Sequence, residues 1–159
     1  MRALVLAQLS TIGCAPTPEL VINEVMSRNT LTLLDSAGEA DDWIEVKNLG
    51  DVDVLLDGLT LGDAAASGPF PAGTLLLPGA FLLVFADDSS AGGTPEEPHV
   101  PFKLSGAGDS VSLRDSGGTV IDGFDIPALA LDVSFGRSPD GTGEPALLTA
   151  ATPRASNAP

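Results

Sequence analysis

Residues 41 to 63 read DDWIEVKNLGDVDVLLDGLTLGD, and the reading of the whole chain turns on this run. Trp43 to Lys47 alternates with period two: Ile44 and Val46 share one face, Trp43, Glu45 and Lys47 the other. That is the signature of a strand with one face on a core. Ile44 and Val46 are therefore expected in the core, and Trp43 on an outer or rim patch. Asn48-Leu49-Gly50-Asp51 is turn chemistry. Val52 to Leu61 carries the next strand or strand pair, broken at Asp57-Gly58, and Leu61 is a further core candidate.

Working outward, Leu20 to Met26 reads as a first strand. Leu31 to Leu34 is a brief strand or a loop packed on the core, followed by a turn at Asp35-Ser36-Ala37-Gly38. Phe81-Leu82-Leu83-Val84-Phe85 is apolar on both faces, as expected of a central, well-buried strand. Asp87 to Pro98 is rich in Ser, Gly, Pro and Glu and reads as a surface loop. Ser110 to Asp122 reads as a β-hairpin around Ser116-Gly117-Gly118, and Val133 to Arg137 as a short closing strand. From Ala151 the chain is expected to fray. No window shows helical periodicity, heptads or repeats. Seven to nine short strands separated by turns imply an all-β sandwich with mostly antiparallel neighbours.

Several motifs follow one another in an order that resembles the lamin tail domain in its bacterial form. They are Val21 to Val25, the run Asp41 to Asp63, Phe70 to Thr74 leading through Pro78-Gly79 to Val84, and Phe102 to Ser105. Gly108 to Val111, Gly118 to Asp122, Ser134 to Gly141 and Thr152 to Ala155 complete the set. The likeness spans about residues 18 to 157. It implies an immunoglobulin-like β-sandwich and a binding or scaffolding role. It departs from the family at Leu59, where many relatives carry an aromatic residue, and the heptad rod of lamins has no counterpart in this sequence.

Composition bounds the function. The chain has 159 residues, enough for one domain with short tails, and a formal net charge of −15. All acidic residues follow Cys14 and are spread along the chain. Such a surface repels phosphate, so nucleic acid is not an expected partner. Residues 1–13 are expected to be an export signal of possible lipoprotein type: Met1-Arg2, an apolar run, then Gly13 before Cys14. On that reading Cys14 is the lipidation site and residues 14–18, through Ala15-Pro16-Thr17-Pro18, are a stiff tether to the membrane. Thr11 stands where lipoprotein signals carry Leu, and an ordinary export signal with an incidental Cys14 is the competing reading. Residues 19–157 are expected to form the domain. The location is then extracytoplasmic, at a bacterial cell envelope or surface, and the partner a protein or another envelope component.

Short connections suggest that the first strand, the Trp43 strand and the Leu59 strand are antiparallel neighbours. Glu24, Asp42 and Asp63 would then converge at one end of the sandwich, with Asp41, Glu45, Asp87 and Asp88 as further members. Clustered carboxylates raise one another's pKa unless a cation neutralises them, and oxygen-rich loop clusters suit Ca²⁺. The competing reading is that these carboxylates point into water or cap turns. No cofactor other than this Ca²⁺ is expected. Asn23 is expected to hydrogen-bond neighbouring backbone.

Catalysis is not expected. A hydrolase triad would have to use His99, the single histidine, and no serine has a Gly-x-Ser-x-Gly context. A zinc site needs about four nitrogen or sulfur ligands, which one histidine and one cysteine do not supply, so zinc is not expected. No Lys-Ser/Thr follows Gly92-Gly93 or Gly106-Ala107-Gly108 as a phosphate loop requires. Paired carboxylates could hydrolyse glycosides, but no aromatic sugar platform accompanies them. The alternative functional reading is an accessory module that positions a secreted hydrolase or nuclease.

Overall fold

A computed structural model describes residues 19–89 and 91–157; the expected export signal, Cys14 and the expected tether lie outside the described residues. Twelve strands and no helix are found among the described residues. The larger sheet has six strands in the order β12 (Pro145–Leu147), β11 (Phe135–Arg137), β1 (Leu20–Met26), β2 (Asp42–Asn48), β7 (Phe81–Ala86) and β8 (His99–Val100). All its pairings are antiparallel except that of β7 with β8. The smaller sheet runs β10 (Val120–Ile126), β9 (Asp109–Arg114), β4 (Thr60–Gly62) and β5 (Ser67–Pro69). A two-stranded ribbon joins β3 (Val54–Leu55) to β6 (Leu75–Leu76).

The alternation read in the sequence sets the main core. Ile44 and Val46 of β2 and Leu82 and Val84 of β7 face Leu61, Val111 and Leu113 of the smaller sheet. Strand β1 joins them through an irregularity. Its register with β2 shifts between Ile22 and Glu24, so Asn23 is extra. A bulge of one residue reverses the phase of a period-two pattern. Ile22 and Val25 therefore both enter the main core, while Glu24 and Met26 turn to the outer face beside Glu45 and Trp43.

That outer face is covered, which corrects two expectations. Trp43 does not lie at a rim; it is fully buried in a second core with Met26, Leu83 and Phe85, packed by Leu33 and Ala151. The segment from Ala151 does not fray over its described length. It lies across the large sheet, with Thr152 N and Oγ1 donating to Glu24 and Arg154 N donating to Glu45. The doubly apolar β7 is central because both of its faces are buried.

A third expectation also fails. The Leu59 region does not pair with β2. Strand β4 lies in the smaller sheet, between β9 and β5, and β2 takes β7 as its neighbour. Asn48 makes the departure of the chain affordable in hydrogen bonds: Nδ2 donates to Val52 O and Leu76 O, while Oδ1 accepts from Gly50 N. The hairpin β9–β10 forms as expected, and β11 closes the large sheet against β1.

The two sheets are locked by Asp122. A register shift between Val120 and Asp122 in β10 places this carboxylate opposite the bulge of β1. It accepts from Ile22 N at 2.7 Å and pairs with Arg137 Nη2 at 2.9 Å. Asp132 accepts from the amides of Thr30, Leu31 and Thr32, pinning the start of the long β1–β2 loop.

Candidate functional site

The three carboxylates expected to gather do not. Glu24 is fully buried on the outer face of β1 and accepts from Thr152 N and Oγ1, each at 3.1 Å. Burial raises its pKa, against the hydrogen bonds from Thr152. Asp42 begins β2, and burial pushes its carboxyl up to about 6, with the Asn29 and Leu104 amides holding it partly down. Asp63 follows β4 in the other sheet and caps its own turn, accepting from Ala65 N and Ala66 N at 2.7 and 2.6 Å. Among the described residues no group of metal-ligating atoms joins Glu24, Asp42 and Asp63. The geometric reason is the placement of β4, which puts Asp63 in a different sheet from the other two.

Two groupings take their place. The first is an internal polar network. Glu24 and Glu45 are partners across β1 and β2, both fully buried. Glu45 Oε1 accepts from Asn23 Nδ2 at 3.1 Å, and Oε2 from Arg154 N at 2.5 Å. Asn23 Oδ1 accepts in turn from Gly141 N at 2.9 Å, so the residue bonds distant rather than neighbouring backbone. Asp140 accepts from Asn157 N and from Lys47 Nζ. Burial, together with the nearby charges of Glu24 and Asp140, raises Glu45 to about 7 despite its two hydrogen-bond donors. Every contact here ties chain to chain, so the network is structural.

The second grouping lies where the β1–β2 loop meets the β7–β8 connection. Ligand atoms of Asp35, Glu97 and His99 all lie within 4.8 Å of one another, and those of Asp35, Glu39 and Asp41 likewise. His99 opens β8, its ring 5.3 Å from that of Phe85. Nδ1 lies 2.8 Å from Asp87 Oδ2, and Nε2 lies 3.6 Å from Glu97 Oε1. His99 therefore stands among carboxylates rather than apart from them. Burial lowers its pKa, but Asp87 and Glu97 outweigh this and the net shift is upward. Ser36 N donates to Glu97 at 3.2 Å and its Oγ at 2.5 Å. A hydroxyl that donates to a carboxylate is held away from the imidazole, so Ser36 and His99 do not make a nucleophile–base pair. Of the carboxylates first expected to cluster, Asp41 alone enters a three-member group. The turn at Asp35 was readable, but Glu97 and His99 carry no spacing signal that joins them to it.

The surface holds a third feature. Leu20, Val54, Leu55, Leu59, Ile121 and Asp115 line a crevice of about 350 Å³. Leu55 pairs with Leu75 across the β3–β6 ribbon, and both are about half exposed.

The two antiparallel-dominated sheets, cross-linked by carboxylates, make an immunoglobulin-like β-sandwich. The chain belongs to the lamin tail domain family, whose model matches residues 14–127. Comparison with curated proteins yields no match. The family is one of non-catalytic β-sandwich modules, in keeping with the fold.

Proposed function

We propose that this chain is a binding and scaffolding module displayed outside the cytoplasm, at a bacterial envelope or surface, and that it performs no catalysis. Cys14, followed by a proline-bearing tether, would carry the lipid that holds it there. The observation that supports binding is the crevice beneath Leu55 and Ile121. These side chains are 53% and 42% exposed, with Leu59 lining the same crevice, on a chain of net charge −15. Apolar side chains gathered at a crevice within a strongly acidic surface suit a protein segment that brings an apolar anchor flanked by basic residues.

The test is capture from envelope extracts by the native chain and by a Leu55→Asp/Ile121→Asp double variant. The native chain should retain a partner that the variant loses while keeping its Trp43 emission. Equal capture by both would remove the crevice as the binding surface. A hydrolase or nuclease as the captured partner would select the accessory role. Mass spectrometry of the N-terminus should find Cys14 as the acylated first residue, and an unmodified Cys14 would remove the lipid tether.

A further inference from the structure

We propose that Asp35, Glu97 and His99 form a site for a divalent first-row metal ion, with Zn²⁺ the ion that the donor set fits best. The donors are one imidazole nitrogen and two carboxylates whose ligand atoms already lie within 4.8 Å of one another. Ligands about 2 Å from a common ion stand roughly 3 to 4 Å apart, so side-chain rotation alone can close the set. Imidazole favours zinc and its neighbours over Ca²⁺ or Mg²⁺, and zinc also accepts carboxylate oxygen. Three protein donors leave a coordination position for water, which distinguishes this site from a closed one of nitrogen and sulfur ligands.

Two observations besides proximity support the assignment. The first is the orientation of His99. Asp87 Oδ2, 2.8 Å from Nδ1, fixes the tautomer with hydrogen on Nδ1 and turns Nε2 toward Glu97. A carboxylate behind a ligating histidine is the arrangement that aims and strengthens such a ligand. His99 is held further by a tilted contact of its ring with that of Phe85, and its side chain is 12% exposed. The second lies in the adjoining group, which shares Asp35. Asp41 Oδ2 is buried and has no hydrogen-bond partner, while Oδ1 has only Lys103 Nζ at 3.8 Å. A buried anionic oxygen without a donor is costly, and a cation held beside it at Asp35 lowers that cost.

The site joins two loops. Asp35 and Ser36 belong to the β1–β2 connection, and Glu97 to the β7–β8 connection, where Ser36 already donates to Glu97. A bound ion would clamp these loops together. The charged groups facing His99 are Asp87, Glu97 and Asp35, with Glu39, Asp41 and Lys103 beyond them.

The experiment is a titration of the untagged full chain, in a Cys14→Ser background, with Zn²⁺ and separately with Ca²⁺. His99 is the single histidine, so imidazole NMR signals report on this site alone. Zn²⁺ should move them saturably with one ion per chain, and Ca²⁺ should leave them in place. His99→Gln and Asp35→Asn should each weaken Zn²⁺ binding by tenfold or more, and Asp87→Asn by about tenfold. Zn²⁺ at a hundred times its Kd should shift the folding equilibrium about a hundredfold. Imidazole signals unmoved at about 1 mM Zn²⁺ would overturn the proposal. So would undiminished binding in His99→Gln, which would mark general adsorption to an acidic surface. Should a variant fail to fold, the native imidazole titration decides.

Discussion

Glu45 offers the sharpest test of the buried network. It is fully buried, and its pKa is lifted from 4.5 to about 7 by burial and by the charges of Glu24 and Asp140. Such a lift corresponds to about 3 kcal/mol. The folded state holds the proton more tightly than the unfolded state. This contribution to stability is therefore fully present below pH 4.5 and is lost as the pH rises through about 7. Glu45→Gln removes the titration. It also leaves one of two donors, Asn23 Nδ2 or Arg154 N, facing an amide instead of an oxygen, a cost independent of pH. Urea unfolding of both proteins between about pH 5 and pH 8.5 separates the two effects. The stability of the variant minus that of the native chain should climb by about 3 kcal/mol across this window. For an m-value of about 2 kcal/mol/M, the difference in midpoints changes by about 1.5 M. Subtraction cancels the titrations of Asp42 and, to first order, Glu24. Glu97 and Asp140 have lowered pKa values and titrate below the window. A difference constant to within about 0.5 kcal/mol, or one of opposite slope, would refute the reasoning.

Three further perturbations probe the rest of the fold. Trp43→Ala should cost about 3 to 5 kcal/mol in urea unfolding, because the ring is fully buried. Trp43→Phe should cost clearly less, because Nε1 has no hydrogen-bond partner to lose. Gly136→Ala should destabilise by about 1 to 3 kcal/mol in thermal or urea melts, since the new methyl would press on the carbonyl oxygen of Asn23 across β11 and β1. A chain ended after residue 127 should fail to show cooperative unfolding or buried-Trp43 emission. Without β11 and the segment 151–157, β1 becomes an edge and Glu24 and Glu45 lose their tail partners.

Local pattern carried the strands and the main core, and failed where distant chain decides. Ile44, Val46 and Leu61 alternate with polar neighbours, and each is buried in the main core. The same alternation assigned Trp43 outward. The assignment of face was right and the inference of exposure wrong, because residues 33 and 151 come to cover that face. Only β7, apolar on both sides, carried a local hint that its sheet is covered twice. The partner of β2 was not legible either. Period two fixes a face but not a sheet, and the chain after Asn48 passes through the β3 ribbon into the smaller sheet at β4, while β7 returns to pair with β2. The expected carboxylate cluster inherited that error through Asp63.

The acidic groups of this chain therefore divide by what faces them, not by where they fall in a strand. Asp122, Asp132 and Glu24 accept from backbone N–H groups of distant segments and act as cross-links within the fold. Glu45 does the same while lacking a cationic neighbour of its own, which makes the network sensitive to proton concentration. Around Asp35 the balance differs. Its Oδ1 is occupied by the amides of Ala37 and Glu39, while Asp41 Oδ2 nearby has no donor. Asp35 and Glu97 also accept from backbone amides, but unlike the cross-linking carboxylates their ligand atoms lie close to one another and to an imidazole. The convergence of several ligand atoms with an imidazole, rather than the density of charge, is what separates the candidate metal ligands of this sandwich from its structural carboxylates.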